Sequence, residues 1–429
     1  MIEHSLDFFK KNRFFDWYRR FFSIEEIEGS KTLQYSFGVM LFITFLTFFR
    51  GWAVNTAITI EAYRTNAYIC WPYFQSCGNY FFLQILPQGY SQMVLYAVFF
   101  ALILMVAYLM YQRAWVPTHM GVSILWLWKF LGVFVLTMSF SQVFNYFDLI
   151  LLFILLFLPY KLFFMRTGFV FLYFLAATEK LNGGWIIGTY FTSLNMGLPI
   201  FGNTSAPLFT NIVICMQVVG SWFLLSKRMV LQRVALWYFL LFHFYSMLII
   251  GYRFPVSVIP ILIILFYINT ENPPVPLTLK SIIGWLFLGF LLICQSVPFV
   301  ISNGNASLTG EGIRYQLFMF DANHQCVINF NVYHADGTVK KYHDERDNAR
   351  YRCEVYNRWF WAQQECARDP SITRISLTFD HSVDGGPFYR IVDVQNVCAL
   401  DYKPFSHNDW IKVPPQAPVV GYPVKNVYY

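Results

Sequence analysis

The stretch ATEKLNGGWIIGTYF, Ala177 to Phe191, closes a long apolar run with a carboxylate and an amine side by side, Glu179 and Lys180. A lysine at the end of such a run can anchor it by reaching its ammonium toward the headgroup region. It can also serve as a general base, provided desolvation brings its pKa down toward the working pH. The next segment, Asn182 to Pro207, has no charged residue and is rich in aromatics, Gly and Asn. A loop of that composition can fold back over an amine and keep it dry, which favours the base.

Two further polar residues lie inside apolar runs. Lys129 sits in WLWKFLGVF and His243 in LLFHFYSMLII. A charge in hydrocarbon costs at least ~2.5–3.5 kcal/mol, so Lys129 is expected to turn toward protein and meet either a carboxylate, with Asp148 and Glu179 as candidates, or a wet cavity. That pair is either structural or part of the chemistry. His243 is either a hydrogen bond between helices or a proton relay. His324, His334, His343, His381 and His407 show no ligand spacing, and no metal site is expected. There is no Gly-rich phosphate loop, nucleophile elbow or dinucleotide fingerprint.

The elements that carry these residues follow from composition. Of 429 residues, 57% are hydrophobic and 13% charged, against about 25% charged in a soluble domain. The reading is a polytopic α-helical membrane protein of about nine spans: 33–49, 92–111, 119–140, 145–160, 167–181, 207–226, 232–250, 254–268 and 281–301. Lys and Arg concentrate in the segments that lie inside if the N-terminus does, while Arg50, Arg64, Lys180 and Arg253 stand outside. The positive-inside rule then puts the N-terminus in and the C-terminus out. The net charge of +7 reports this topology, and no nucleic-acid partner is expected. Residues 1–32 read as a cytoplasmic basic and aromatic interfacial segment, with FFKKNRFFDWYRRFF suited to an anionic membrane surface. Residues 33–301 form the bundle. Residues 302–429 read as an extracytoplasmic α+β domain, with strands in YQLFMF, CVINFNVYH and SITRISLTF. A helix is expected in VYNRWFWAQQECAR, and a hairpin turn at the Asp-Gly of HADGTVKKY.

Cysteine placement supports that topology. Cys70, Cys77, Cys326, Cys353, Cys366 and Cys398 all fall in segments assigned outside, where disulfides form. The pairing stays open. The expected location is the inner (plasma) membrane with the soluble domain on the periplasmic or extracellular side, or the endoplasmic reticulum membrane in a eukaryote.

YFLAATEKLNGGWIIG, Tyr173 to Gly188, resembles the signature of the vitamin K-dependent gamma-carboxylases and their bacterial relatives with a horizontally transferred transmembrane (HTTM) domain. Its features are an aromatic pair, small residues, Lys-Leu, then Trp185 and Gly188. FFRGW (Phe48 to Trp52), AYICWPY with Cys70, and LLFHFYSMLIIGYRFP with His243 resemble further family segments in the same order. The resemblance covers roughly residues 33–266. It implies a lyase chemistry in which Lys180 deprotonates a reduced vitamin K-type naphthoquinone. Oxygen then yields an epoxide and a strong base, which removes a glutamate γ-proton, and carbon dioxide adds to the carbanion. Asn145 stands where the family enzymes carry a histidine; an amide hydrogen-bonds but takes no proton at neutral pH.

Two functions are therefore expected. One is quinol-dependent modification of an exported protein or peptide in contact with membrane lipid, with Lys180 as base and Glu179, Trp185, Gly188, His243, Asn145 and Lys129 in support. The other is a non-catalytic membrane scaffold or maturation partner that presents a disulfide-bonded outer domain, with Lys180 merely structural.

Overall fold

A computed structural model describes residues 13–49, 68–80, 90–136, 142–192, 198–268, 273–303, 305–317, 319, 321–346 and 353–423. Arg50 to Trp52 of the FFRGW segment, and Arg64, lie outside the described residues. The chain forms two compact units. The first comprises Met1–Trp71, Ser76–Phe174 and Met216–Phe290; the second comprises Pro72–Gln75, Leu175–Cys215 and Leu291–Tyr429.

The first unit is helical. Tyr90–Tyr111 packs on Trp115–Phe130, Lys31–Phe49 on Gln142–Phe157, and Met229–Ile250 on Arg253–Ile263. Phe37, Met40, Leu125, Leu151, Leu155, Phe164, Phe239 and Phe266 fill its interior. Two polar side chains serve helix ends, where backbone groups need partners. The Glu26 carboxylate accepts from Tyr160 N at 2.8 Å and Lys161 N at 2.6 Å, which caps the start of the helix Lys161–Thr178. Lys161 Nζ in turn donates to Leu156 O and Leu158 O at the end of the preceding helix, as a basic C-terminal cap does.

The nine-span polytopic bundle expected from the apolar runs is corrected here. Among the described residues, two helices are long and apolar enough to cross a membrane, Lys161–Thr178 and Leu279–Ile301. Composition counts apolar residues but not backbone interruptions. The run 119–140, described as far as residue 136, becomes the helix Trp115–Phe130 followed by a π turn, Leu131–Leu136. The run 207–226 becomes Ala206–Val218 and a 3-10 turn, Gly220–Leu225. Met229–Ile250 is long but carries Gln232, Arg233, His243 and Ser246 within it. The orientation built on nine crossings is withdrawn with them.

Met229–Ile250 nevertheless has two unlike faces. Ala235, Leu236, Phe239 and His243 are buried, while Val230, Val234, Trp237, Leu241, Phe244 and Leu248 are exposed. The exposed residues recur every three or four positions and form one apolar stripe. Ile283, Leu286, Phe290, Ile293 and Val300 of Leu279–Ile301 are exposed as well.

The second unit holds an antiparallel five-stranded sheet in the order β2-β1-β3-β4-β5. The strands are β1 His324–His334, β2 Val339–Arg346, β3 Ile372–Val383, β4 Phe388–Val394 and β5 Val419–Gly421. Burial alternates along β1, as period-two side-chain placement requires when one face is covered. The β1–β2 turn contains Asp336 and Gly337; the Asp336 carboxylate accepts from Thr338 N at 2.9 Å and Gly337 takes φ +85°. The helix Val355–Arg368 packs on β3 and buries Val355, Tyr356, Trp359, Phe360 and Ala362.

The six cysteines pair as Cys70–Cys77, Cys326–Cys353 and Cys366–Cys398. YQLFMF differs from its expected strand: Tyr315 ends a 3-10 turn and Gln316 and Leu317 are not in a strand. Two of its backbone amides go to side chains instead. Leu317 N donates to Gln295 Oε1 at 3.1 Å and Met319 N to Glu179 Oε2 at 2.5 Å.

Candidate functional site around Lys180

Lys180 lies just past the end of Lys161–Thr178, in the second unit. The helix closes with a tightened turn, Lys180 N to Ala177 O at 2.9 Å and Leu181 N to Thr178 O at 3.3 Å. Asn182 then redirects the chain. Its side-chain oxygen accepts from Trp185 N at 3.1 Å and caps the short helix Gly183–Ile186. Its Nδ2 donates to Glu179 O at 2.7 Å and Asp321 O at 2.8 Å. One amide thus ties the chain before Lys180, the turn after it, and the segment ahead of β1.

The side chain of Lys180 is 1% exposed. Nζ donates to Ala176 O at 2.6 Å and stands 5.4 Å from the Trp185 ring centre. Burial pushes this amine down to about 8, with the Glu179 and Asp321 carboxylates opposing the shift. Desolvation therefore outweighs two nearby negative charges, and the neutral form is within reach at ordinary pH. Trp185 stacks on Tyr190 at 4.9 Å and 24° and meets Phe191 edge-on at 5.5 Å. All three rings are buried. They come from the uncharged loop, of which residues 193–197 lie outside the described residues.

Gln295 holds the next wall. Its Nε2 donates to Leu175 O, Thr178 Oγ1 and Leu317 O at 3.1–3.3 Å. This binds the residues before β1 to the last turn of the lysine's helix. Beyond them lie Asp321, His324, His381 and Asp384. Asp321 Oδ2 is 3.5 Å from His324 Nε2. His324 Nδ1 is 3.1 Å from His381 Nε2, and the two rings stack at 5.2 Å and 19°. His381 Nδ1 is 2.5 Å from Leu308 O. Burial, and then the neighbouring His324, push the His381 imidazole down to about 3. Asp384 exchanges two 2.8 Å bonds with the Asn323 backbone. Burial raises its carboxyl to about 6.

Glycine suits this wall at two positions and is required at one, Gly188. A Cβ on Gly184 would lie 1.9 Å from Asp384 Oδ2. Gly188 has φ +78°, and a Cβ there would meet Pro207 N at 2.8 Å and Ala206 C at 3.1 Å. Those neighbours are backbone and cannot turn aside. Gly188→Ala is expected to destabilise the protein by about 1–3 kcal/mol through strain at this φ. A thermal melt checks it; an unchanged midpoint would show that the turn relaxes freely.

Of the residues singled out by sequence, the structure gathers Glu179, Lys180, Trp185 and Gly188 in the second unit. Lys129, Asn145 and His243 belong to the first. Lys129 forms a buried ion pair with Asp148, not Glu179, and its Nζ donates to Thr47 Oγ1 at 2.8 Å. His243 Nε2 meets Tyr173 Oη at 2.5 Å. Asn145 is fully buried. Sequence reasoning missed Asp321, His324, His381 and Asp384. His324 pairs with Val383 and His381 with Cys326 across β1 and β3, so the histidines are diagonal neighbours that only the register reveals. Among the described residues, no group of three or more His, Cys, Asp or Glu could hold a metal ion. Comparison of the chain with protein-family models, with curated proteins and with solved structures finds no match.

Proposed function

We propose that this protein is a membrane-associated, gamma-carboxylase-like enzyme that uses a reduced naphthoquinone and oxygen to modify an exported protein or peptide, with Lys180 as its base. The observation that carries the reading is a lysine 1% exposed, with one hydrogen bond from Nζ, beside an aromatic wall. A base must be neutral before it can take a proton, and a dry site supplies that condition. The buried rings of Trp185, Tyr190 and Phe191 keep the neighbourhood of the amine apolar and aromatic, in keeping with a quinol ring as its substrate. The quinol, once oxidised, would supply the strong base for proton removal from the acceptor; Lys180 supplies only the first deprotonation.

Membrane lipid is the proposed surrounding of the exposed stripe on Met229–Ile250, since a contiguous apolar face on this scale marks a membrane or protein contact. Three disulfides favour an oxidising compartment for the cysteines: the periplasmic or extracellular face of a plasma membrane, or the endoplasmic reticulum lumen in a eukaryote. The test is purified protein supplied with reduced naphthoquinone and oxygen. Epoxide should form with wild type and not with Lys180→Ala. No epoxide from wild type, or equal amounts from both, would refute the reading.

The scaffold reading keeps one specific support: Asn182 and Glu179 bind backbone of the segment ahead of β1, so this corner also has a structural task. A fold and partner capture left intact by Lys180→Met, with no epoxide from wild type, would favour it.

A further inference from the structure

We propose that Asp321 and His324 form the proton exit for Lys180, with His381 as the residue that sets the tautomer of His324. The inference rests on Lys180 acting as a base. A base that works repeatedly must be emptied of its proton after each turnover, and Lys180 is too buried to hand it to water directly.

The hydrogen bonds dictate the tautomers. Leu308 O can only accept, so His381 Nδ1 carries a proton. His381 is held neutral by its burial and by His324, so its Nε2 is a lone pair. His324 Nδ1 must then donate to it across 3.1 Å. That leaves the lone pair of His324 on Nε2, facing Asp321 Oδ2 at 3.5 Å. The carboxylate and this nitrogen share a place for one proton. Asp321 O accepts from Asn182 Nδ2 at 2.8 Å, two residues past Lys180, so the turn that carries the amine is tied to the residue facing His324, and the Asp321 carboxylate also acts on Lys180.

The step balances without electrons. Neutral Lys180 takes a proton from a substrate O–H and becomes an ammonium. The ammonium returns to the amine as one proton passes to the Asp321–His324 pair. From there it leaves by way of Asp384, which is bonded to the Asn323 backbone between Asp321 and His324 and is only partly buried. Glu179, Asp321, His324, His381 and Asp384 are the titratable groups facing this path. His324 and Asp321 are positioning residues in this scheme, since they act through Lys180.

The experiment is quinol epoxidation by wild type, Asp321→Asn, His324→Gln and His381→Gln, each with kcat, KM and solvent isotope effect. His324→Gln should lower kcat by about tenfold or more with KM little changed, as expected for loss of a proton acceptor. Its solvent isotope effect should rise, and added imidazole should restore part of the rate. Asp321→Asn should behave alike, and His381→Gln should lose less. Epoxide from wild type but not Lys180→Ala, together with unchanged kcat in both His324→Gln and Asp321→Asn, overturns the exit and leaves the base intact. No epoxide from wild type overturns both. Should the variants fail to fold, nitrogen NMR of isotope-labelled histidine in wild type decides: His381 protonated on Nδ1 supports the arrangement, and protonation on Nε2 overturns it.

Discussion

Lys180→Ala is expected to reduce quinol epoxidation by about 10²–10⁴-fold, the usual contribution of a positioned base. Lys180→Arg should fail equally, because a guanidinium keeps the charge and reach of the side chain but does not deprotonate in a protein. A lysine that only anchored the chain would tolerate arginine. The wild-type rate should rise with pH through about 8 and level above it, because the amine becomes neutral there. Stability carries the same signature with a definite sign. Unfolded, the lysine titrates at 10.5; folded, at about 8. Between those values the unfolded chain binds more protons, so folding stability rises with pH across that window. The gain at Lys180 amounts to about 3 kcal/mol at most, and below about pH 8 the full penalty of a buried ammonium is present. Lys180→Met removes the titrating group, so wild type should gain stability relative to the variant from pH 8 to 10.5. A difference that is flat with pH would show that Lys180 is not desolvated in solution.

What was legible in the sequence was local. Lys180, Trp185 and Gly188 fall within nine consecutive residues, and the turn that joins them is set by Asn182 and by a glycine at positive φ. The Asp336-Gly337 hairpin was legible for the same reason, since its turn chemistry sits in two adjacent residues. Asp148 was a named partner for Lys129 because both stand in apolar runs and a buried charge needs its opposite. The histidines were not legible. His324 and His381 meet through the β1–β3 register across 57 positions, and no spacing rule within one segment encodes that. YQLFMF has the alternation of a strand, yet its Leu317 and Met319 amides are claimed by Gln295 and Glu179 from elsewhere in the chain. The nine spans failed on backbone: a window of apolar residues reads the same whether it is one helix or a helix and a π turn, as at Leu131–Leu136.

Removing either long-range disulfide of the sheet region should cost about 3–4 kcal/mol, but only one of them should reach the site. Cys326–Cys353 closes a separation of 27 residues and Cys366–Cys398 one of 32, and chain entropy gives nearly equal stabilisation, about 3.5 kcal/mol, for loops of those lengths. Their surroundings differ. Cys366 ends the helix Val355–Arg368, and its partner lies in a segment that the helix also holds through Trp359 Nε1 to Leu400 O at 2.8 Å and Gln363 Nε2 to Val397 O at 2.8 Å. Cys366→Ser with Cys398→Ser should therefore lower the melting temperature and leave Lys180 chemistry near wild type. Cys326 lies on β1 directly across from His381 on β3. Its partner Cys353 precedes Glu354, which pairs with Arg314 in the segment before β1. Cys326→Ser with Cys353→Ser should lower the melting temperature by a similar amount and also loosen the seat of His381 and His324. The measurement is the pair of melts beside the pair of epoxidation rates. Equal loss of rate in both double variants would mean that the site responds to global stability alone, and the special place of Cys326 opposite His381 would carry no functional weight.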